Sequence, residues 1–343
     1  MSAITVIVTT YNFEEIIGSF LGDLFAQTFQ DFHVLLLDDC SSDSTIEIVN
    51  NYVVNYPGRI QTFYRNENIG DGSKLWNIAL DSGFVNGDYV IFLDGDDAIE
   101  PKFLEKLYAI AIENHADIAV CAYNRRDLFT GHIICTEMQG FPDMLDVSNN
   151  LGTLAFVNTS LWNKLIKREV IGDARCSYEN VSLDTYFLLQ VYKNCKRIAF
   201  TDDVLYNYQV RNNSVINTIT VDFVYAFAKD LLQLYDDNKD NSDYAELICL
   251  FVFIHIGLSM PMRVMGNKKI SQSKHIEWTR TFFNEHFALF RHCSLMKFSS
   301  LRKYGFRGYA IGLCIFLYKV RLFQLFLSSY RVFRKISAKD IKW

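Results

Sequence analysis

The chain has 343 residues, 50% hydrophobic and 15% aromatic, enough apolar material for two or three domain cores. Its formal net charge of −5 hides a division: from Lys297 onward eleven Lys and Arg face the single acid Asp340, about +10, so residues 1–296 carry about −15. The eight Cys form no CxxC pair and no regular spacing, which excludes a zinc ribbon or disulfide scaffold and points to reduced, buried thiols in a cytoplasmic protein. The apolar run at Ile4 is too short for a signal peptide and lacks a basic leader.

Ile4–Asn12 is rich in β-branched residues and reads as a first strand, followed from Glu14 by a helical pattern with Ile16, Ile17, Phe20, Leu21 and Leu24 inward. Phe32–Asp39 reads as a second buried strand ending in carboxylates. The turn Cys40 to Ser44 then caps a helix carrying Ile46, Ile48 and Val49, and Asp43 in it is better explained as an N-cap than as a functional group. Ile60–Tyr64 is a short third strand and 74–80 a helix. Tyr89–Leu93 is a continuous apolar run, the pattern of a strand buried on both faces, and it stops abruptly at Asp94, Asp96 and Asp97. This alternation predicts an α/β fold with a mostly parallel sheet, right-handed crossovers and flanking helices.

In such sheets ligands bind at the carboxyl ends of the strands. Two strands present acids there: Asp38 and Asp39 can accept from a base or ribose, and Asp94, Asp96 and Asp97 can handle phosphate and metal. Clustered carboxylates repel one another unless a cation intervenes, and a hard ion such as Mg²⁺ or Mn²⁺ carrying a phosphate suits them. The plain alternative is a solvated acidic turn.

After Glu100-Pro101, a helix with Phe103, Leu104, Leu107 and Ile110 leads to a strand over 117–123; residues 124–156 show no clear period. From Val221 the pattern is helical, through Phe223, Phe227, Leu231 and Leu234 and again over 247–258, and is expected to pack on the preceding domain. Tyr309 to Leu327 has only Lys319 and Arg321 charged, but two central cations are costly inside a bilayer. Flanking Arg302, Lys303, Arg307, Arg331, Arg334 and Lys335 suit helices lying in the headgroup region of an anionic membrane. Leu, Ile and Phe dominate between the charges, which argues against nucleic acid.

The ordered segments VIVTTYN, DDCSSDST, NENIG, FLDGDD, WNKL and LYNYQVRNNSVI resemble family 2 glycosyltransferases, inverting enzymes of the GT-A fold, over about residues 3–215. The resemblance implies a catalytic domain over 1–215, with a nucleotide-binding half at 1–100 and an acceptor half at 101–215. A helical extension (216–296) and a basic membrane-associating tail (297–343) follow. It implies that Thr9, Tyr11 and Glu14 lie beside the base with Asp39 as its acceptor, and that Asp94 faces the ribose. Asp96 ligates Mn²⁺ or Mg²⁺, and Asp97 is a further ligand or its supporting partner. WNKL lies beside the acceptor site, and Asp184 is the general base, with Glu179 the alternative. Three departures stand out: Thr9 replaces a usual Pro, Cys40 a usual Gly, and Trp76 a usual Arg, which leaves Lys74 as the nearby cation for the diphosphate. The implied reaction moves a sugar from a nucleoside diphosphate donor, UDP-linked, to a glycan or lipid-linked glycan acceptor at the inner face of the cell membrane. A catalytically silent sugar-nucleotide-binding module at the membrane is the alternative. A phosphatase fits poorly, since its DxD would sit on the first strand and be followed by Thr or Val.

Overall fold

In the computed structural model the apolar runs become strands. β1 (Ile4–Thr10) is buried along its whole length and pairs in parallel with both β2 (Phe32–Asp38) and β4 (Tyr89–Asp94), while β2 pairs in parallel with β3 (Ile60–Tyr64). The structure describes residues 2–70, 72–176, 183–210, 221–263 and 271–337. Two compact units are present: 1–149, 158–179 and 183–214 form the first, and 150–157, 180–182 and 215–343 the second.

In the first unit, β4 continues the sheet through the short antiparallel β9 (Lys164–Lys167) to β6 (Ile118–Asp127), which pairs in parallel with the long β10 (Arg197–Val210). β5 (Ala98–Ile99) and β8 (Met144–Asp146) pair antiparallel with β10, and β7 (Ile133–Glu137) with β6. The described strand order is β3-β2-β1-β4-β9-β6-β10-β5. Helices α1 (Ile17–Phe25), α2 (Thr45–Asn55), α3 (Gly72–Asp81), α4 (Phe103–Glu113) and α5 (Leu183–Asn194) flank it. Each α1 residue predicted to face inward from Ile17 onward is buried, including Phe20, Leu21 and Leu24. The structure thus has the expected α/β fold, with β1 to β4 parallel and antiparallel strands added beyond β4, and the unassigned stretch 124–156 contains the end of β6, β7, β8 and short helical segments.

The second unit contains α6 (Val221–Asp236), α7 (Ser242–Val252), α8 (Gln272–His286), α9 (Gly305–Lys319) and α10 (Phe323–Ser337). Helix α7 runs on through a π segment, Phe253–Ser259. The whole of Ser242–Met262 is long and apolar enough to span a bilayer, with mean hydropathy 1.8, yet 78% of its apolar window is buried inside the protein. The apolar run 309–327 is interrupted between α9 and α10, where Arg321 has φ 62°.

Candidate active site

The register of β1 and β4 sets Thr9 opposite Asp94, and the backbone N–H of Gly95 donates to the Thr9 carbonyl at 3.2 Å. A Cβ at Gly95 would lie 2.9 Å from Ile17 Cδ1 and 3.2 Å from the Thr9 oxygen, so a larger residue would crowd the turn of β4 against β1 and α1. Asp94 and Asp96 are half-buried, while Asp97 points inward with 6% exposure. Asp97 accepts from the Tyr206 hydroxyl and from the Gln209 backbone N–H, both at 2.7 Å. Burial, reinforced by Asp96 and then Asp94, holds its carboxyl well above the usual carboxylate range. Behind it, the Tyr206 ring stacks on Trp162 at 4.4 Å, and Trp162 stacks on Tyr208 at 5.5 Å. The WNKL and LYNY segments therefore form an aromatic support for the DGDD turn.

The loops after β1 and β2 are latched together. Asn12, at φ 52°, donates its N–H to Ser41 Oγ at 2.9 Å and accepts from the Ser42 N–H at 2.8 Å. The Glu14 carboxylate accepts from the Ser44 N–H at 2.9 Å, and Glu14 N–H donates to Asp43 at 3.1 Å. Asp43 also accepts from the Thr45 N–H at 3.0 Å, but the N-cap of α2 is Ser44, so Asp43 stands one residue before the capping position expected of it. Asp39, 4% exposed, accepts from the N–H groups of Ile69 and Gly70 at 2.8 and 2.9 Å, which folds the NENIG turn onto the site. Tyr11 remains 44% exposed. Cys40 has φ 67°, the left-handed region in which the family's glycine carries no strain.

Thr9, Tyr11, Glu14, Asp39, Asp94 and Asp96 thus gather around the carboxyl ends of β1, β2 and β4. The N-terminus of α3 adjoins them, since a Cβ at Gly72 would meet Thr9 Oγ1 at 3.4 Å, and half-buried Lys74 is in its first turn. Trp76 is instead buried against Phe92, with ring centroids 5.2 Å apart, so the residue at the family's arginine position fills core beneath β4.

Asp184, half-buried, is the second residue of α5. It lies within Coulombic reach of Lys164, a fully buried lysine whose ammonium donates to Asn158 Oδ1, the Ser160 carbonyl and Asn163 Oδ1 at 2.7, 2.6 and 2.9 Å. Burial pulls this ammonium down to about 7, opposed by Cys121 and Asp184. Asn77 clamps the strand of chain that approaches α5: its amide donates to the Cys176 carbonyl and accepts from the Cys176 N–H, both at 2.8 Å. Arg175 pairs with Asp81 at 2.7 Å. Glu179, the alternative base, and residues 211–216 of the LYNY segment lie outside the described residues. Sequence reading placed the WNKL segment beside the acceptor site but gave no individual role to Lys164, Asn77, Trp162 or Tyr206; the signal available was a lysine among the apolar residues Leu161, Trp162, Leu165 and Ile166.

Among the described residues no group of three or more His, Cys, Asp and Glu forms a ready-made metal cluster. Asp94 and Asp96 nevertheless supply hard oxygen donors of the kind Mg²⁺ and Mn²⁺ take, with Asp97 fixing the turn behind them. A cleft of about 720 Å³ lies at the other end of β4, beside Asp88, Lys167 and Arg168, away from the carboxylates.

A mixed sheet whose parallel strands β1, β2 and β4 bring Thr9, Asp39 and Asp94 to one edge, supported by WNKL and LYNY, has a GT-A glycosyltransferase fold. Residues 5–169 match the model of glycosyl transferase family 2. It is 28% identical over 233 residues to a cholesterol galactosyltransferase of Borreliella burgdorferi, covering 64% of this chain and 63% of that protein. It is 29% identical over 232 residues to the glycosyltransferase GlyA of Streptococcus pneumoniae, covering 65% of this chain but 33% of that one. The matched region thus spans less than two thirds of either relative. The fold resembles S. aureus TarS 1–349 in complex with UDP-GlcNAc, with TM-score 0.70, 21% identity, 96% of this chain and 92% of that one covered.

Proposed function

We propose that the protein is an inverting, metal-dependent glycosyltransferase that moves one sugar from a UDP-linked donor to a hydroxyl of a glycan or lipid-linked glycan during cell-surface polysaccharide assembly. The observation that carries this reading is the convergence of Asp94, Asp96 and buried Asp97 beside Thr9 in a family 2 domain. The UDP-GlcNAc complex of the TarS neighbour supports the choice of nucleotide.

Thr9, Tyr11, Glu14 and Asp39 hold the base, Glu14 and Asp39 partly by fixing the loops that surround it. Asp94 faces the ribose, Lys74 the diphosphate, and Asp96 ligates the ion, with Asp97 fixing the turn behind it. When bound, Mn²⁺ or Mg²⁺ neutralises charge on the leaving diphosphate. Asp184 takes the proton of the acceptor hydroxyl as that oxygen bonds to the anomeric carbon and the bond to the diphosphate oxygen breaks on the opposite face, inverting the configuration. The charge division along the chain supports a peripheral position at the inner face of the cell membrane, where a lipid-linked acceptor is presented.

The test is a panel of radiolabelled nucleotide sugars with Mn²⁺, scored for transfer to a lipid-linked glycan and for donor hydrolysis. UDP-sugar turnover is expected. Donor binding with no turnover against any acceptor would favour the silent sugar-nucleotide-binding module instead.

A further inference from the structure

Helix α9 of the second unit has two apolar faces. One is used: Gly308, Ile311, Cys314, Ile315 and Tyr318 are buried, and the Tyr318 hydroxyl donates to the Gly257 carbonyl at 2.6 Å. On the opposite side Phe306, Tyr309, Leu313, Phe316 and Val320 follow at spacings of three and four residues, one stripe along the helix. They are 73%, 49%, 49%, 57% and 41% exposed. Phe298, 61% exposed, extends the stripe by packing its ring 5.5 Å from Tyr309. An apolar patch of this kind on a helix marks an interaction surface.

Beside the stripe is a cleft of about 250 Å³ whose floor includes Phe298, Ile315 and Phe316 and whose lining also includes Arg291, Lys297 and Lys319. All three cations are exposed, and the sequence has no Asp or Glu between Glu285 and Asp340. A second copy of this chain docked here would bring like charges together, whereas a phospholipid surface offers acyl chains to the stripe and phosphates to the cations. We propose that this face of α9, with the Arg291–Lys297–Lys319 cleft, is the surface that docks on an anionic bilayer: Phe306, Tyr309, Leu313 and Phe316 enter the acyl boundary, and a lipid phosphate sits among the three cations. The inference rests on the peripheral-membrane reading above and narrows it from a whole basic tail to one face. Deleting residues 297–343 would also remove Ile311, Ile315 and Tyr318 from the unit's core, so substitutions of exposed residues are the cleaner probe.

The experiment is co-sedimentation of the full chain with phosphatidylcholine vesicles, with and without phosphatidylglycerol, at low and high salt, for the native protein, Phe306→Ser/Phe316→Ser and Lys297→Gln/Lys319→Gln. Thermal midpoints and solution mass are recorded for each. The native protein is expected to bind vesicles containing phosphatidylglycerol, less so in high salt. The Lys pair should weaken that binding about fivefold per cation removed. The Phe pair should lose binding at unchanged thermal midpoint. Native protein that binds no vesicle overturns the peripheral-membrane reading and this inference with it. Native binding that both variants retain in full leaves that reading standing and overturns this face. A native dimer that Phe306→Ser/Phe316→Ser converts to monomer, without vesicle binding, assigns the face to a subunit contact and also overturns it.

Discussion

Replacing Lys164 with Met tests how the WNKL segment beside Asp184 is held together. In the folded protein burial brings the Lys164 ammonium from its ordinary 10.5 to about 7, so between those values the unfolded chain binds a proton that the folded chain does not. Stability therefore rises with pH across that window, by up to about 1.4 kcal/mol per pH unit, and is flat below pH 7, where both states are charged. From pH 7 to pH 9 the native protein should gain about 2 kcal/mol from this one residue, after allowing for partial ionisation near the midpoint. Lys164→Met removes the gain, and its lost hydrogen bonds to Asn158, Ser160 and Asn163 add a pH-independent cost of about 1–3 kcal/mol for each acceptor left buried and unpaired. Urea unfolding of both proteins at pH 6, 7, 8 and 9 separates the two effects, because one is a slope and the other an offset. Parallel profiles would refute the reasoning: they would mean that the three acceptors, which match the three donors of an ammonium, keep Lys164 charged throughout. Loss of this cation near Asp184 should also move the acidic limb of kcat/KM to higher pH.

Three further outcomes are expected. Asp96→Ala abolishes transfer while leaving the thermal midpoint near that of the native protein, and EDTA silences the native enzyme until Mn²⁺ is restored; full activity in EDTA would remove the metal from the reaction. Asp184→Asn can still occupy the first turn of α5 but cannot take a proton, so kcat should fall by about 10²- to 10⁴-fold with donor affinity unchanged, whereas a silent Glu179→Gln beside an active Asp184→Asn would transfer the role to Glu179. At Cys40, φ 67° favours glycine, so Cys40→Gly should change stability by less than about 1 kcal/mol while Cys40→Val destabilises by more than that, read by thermal unfolding.

The carboxyl edge of β1, β2 and β4 was legible because these strands are central. β1, β2 and β4 are buried almost throughout, so their sequences are largely apolar, interrupted by Thr5 in β1 and His33 in β2, and they end at Thr9-Thr10, Asp38 and Asp94. The supporting residues were not legible by the same logic. β9 is four residues long and carries a buried lysine, whose three acceptors belong to the preceding loop rather than to any period. In β7, Ile133 and Ile134 are about half exposed, so neither face of that edge strand repeats. Asp97 reads like its neighbours in sequence; only the long-range pairing of β10 with β5, bringing Tyr206 and Gln209 to it, separates an inward-facing acid from the two beside it.

The C-terminal region shows the reverse case, in which composition was informative and its meaning lay in geometry. Cations without acids among Phe, Leu and Ile suggest a membrane tail, but α9 is apolar nearly all round, and a helix of that kind has more hydrophobic surface than one partner can cover. Ile311, Ile315 and Tyr318 go to the unit's own core, an arrangement that the residue count cannot distinguish from a free amphipathic helix. What is left is the narrower stripe Phe306–Val320, whose apolar area is held rigid by the packing behind it. A rigid stripe loses little conformational entropy on docking, so fewer apolar side chains suffice than a disordered tail would need. The burial of one face would therefore favour docking by the other, in the proposed membrane contact.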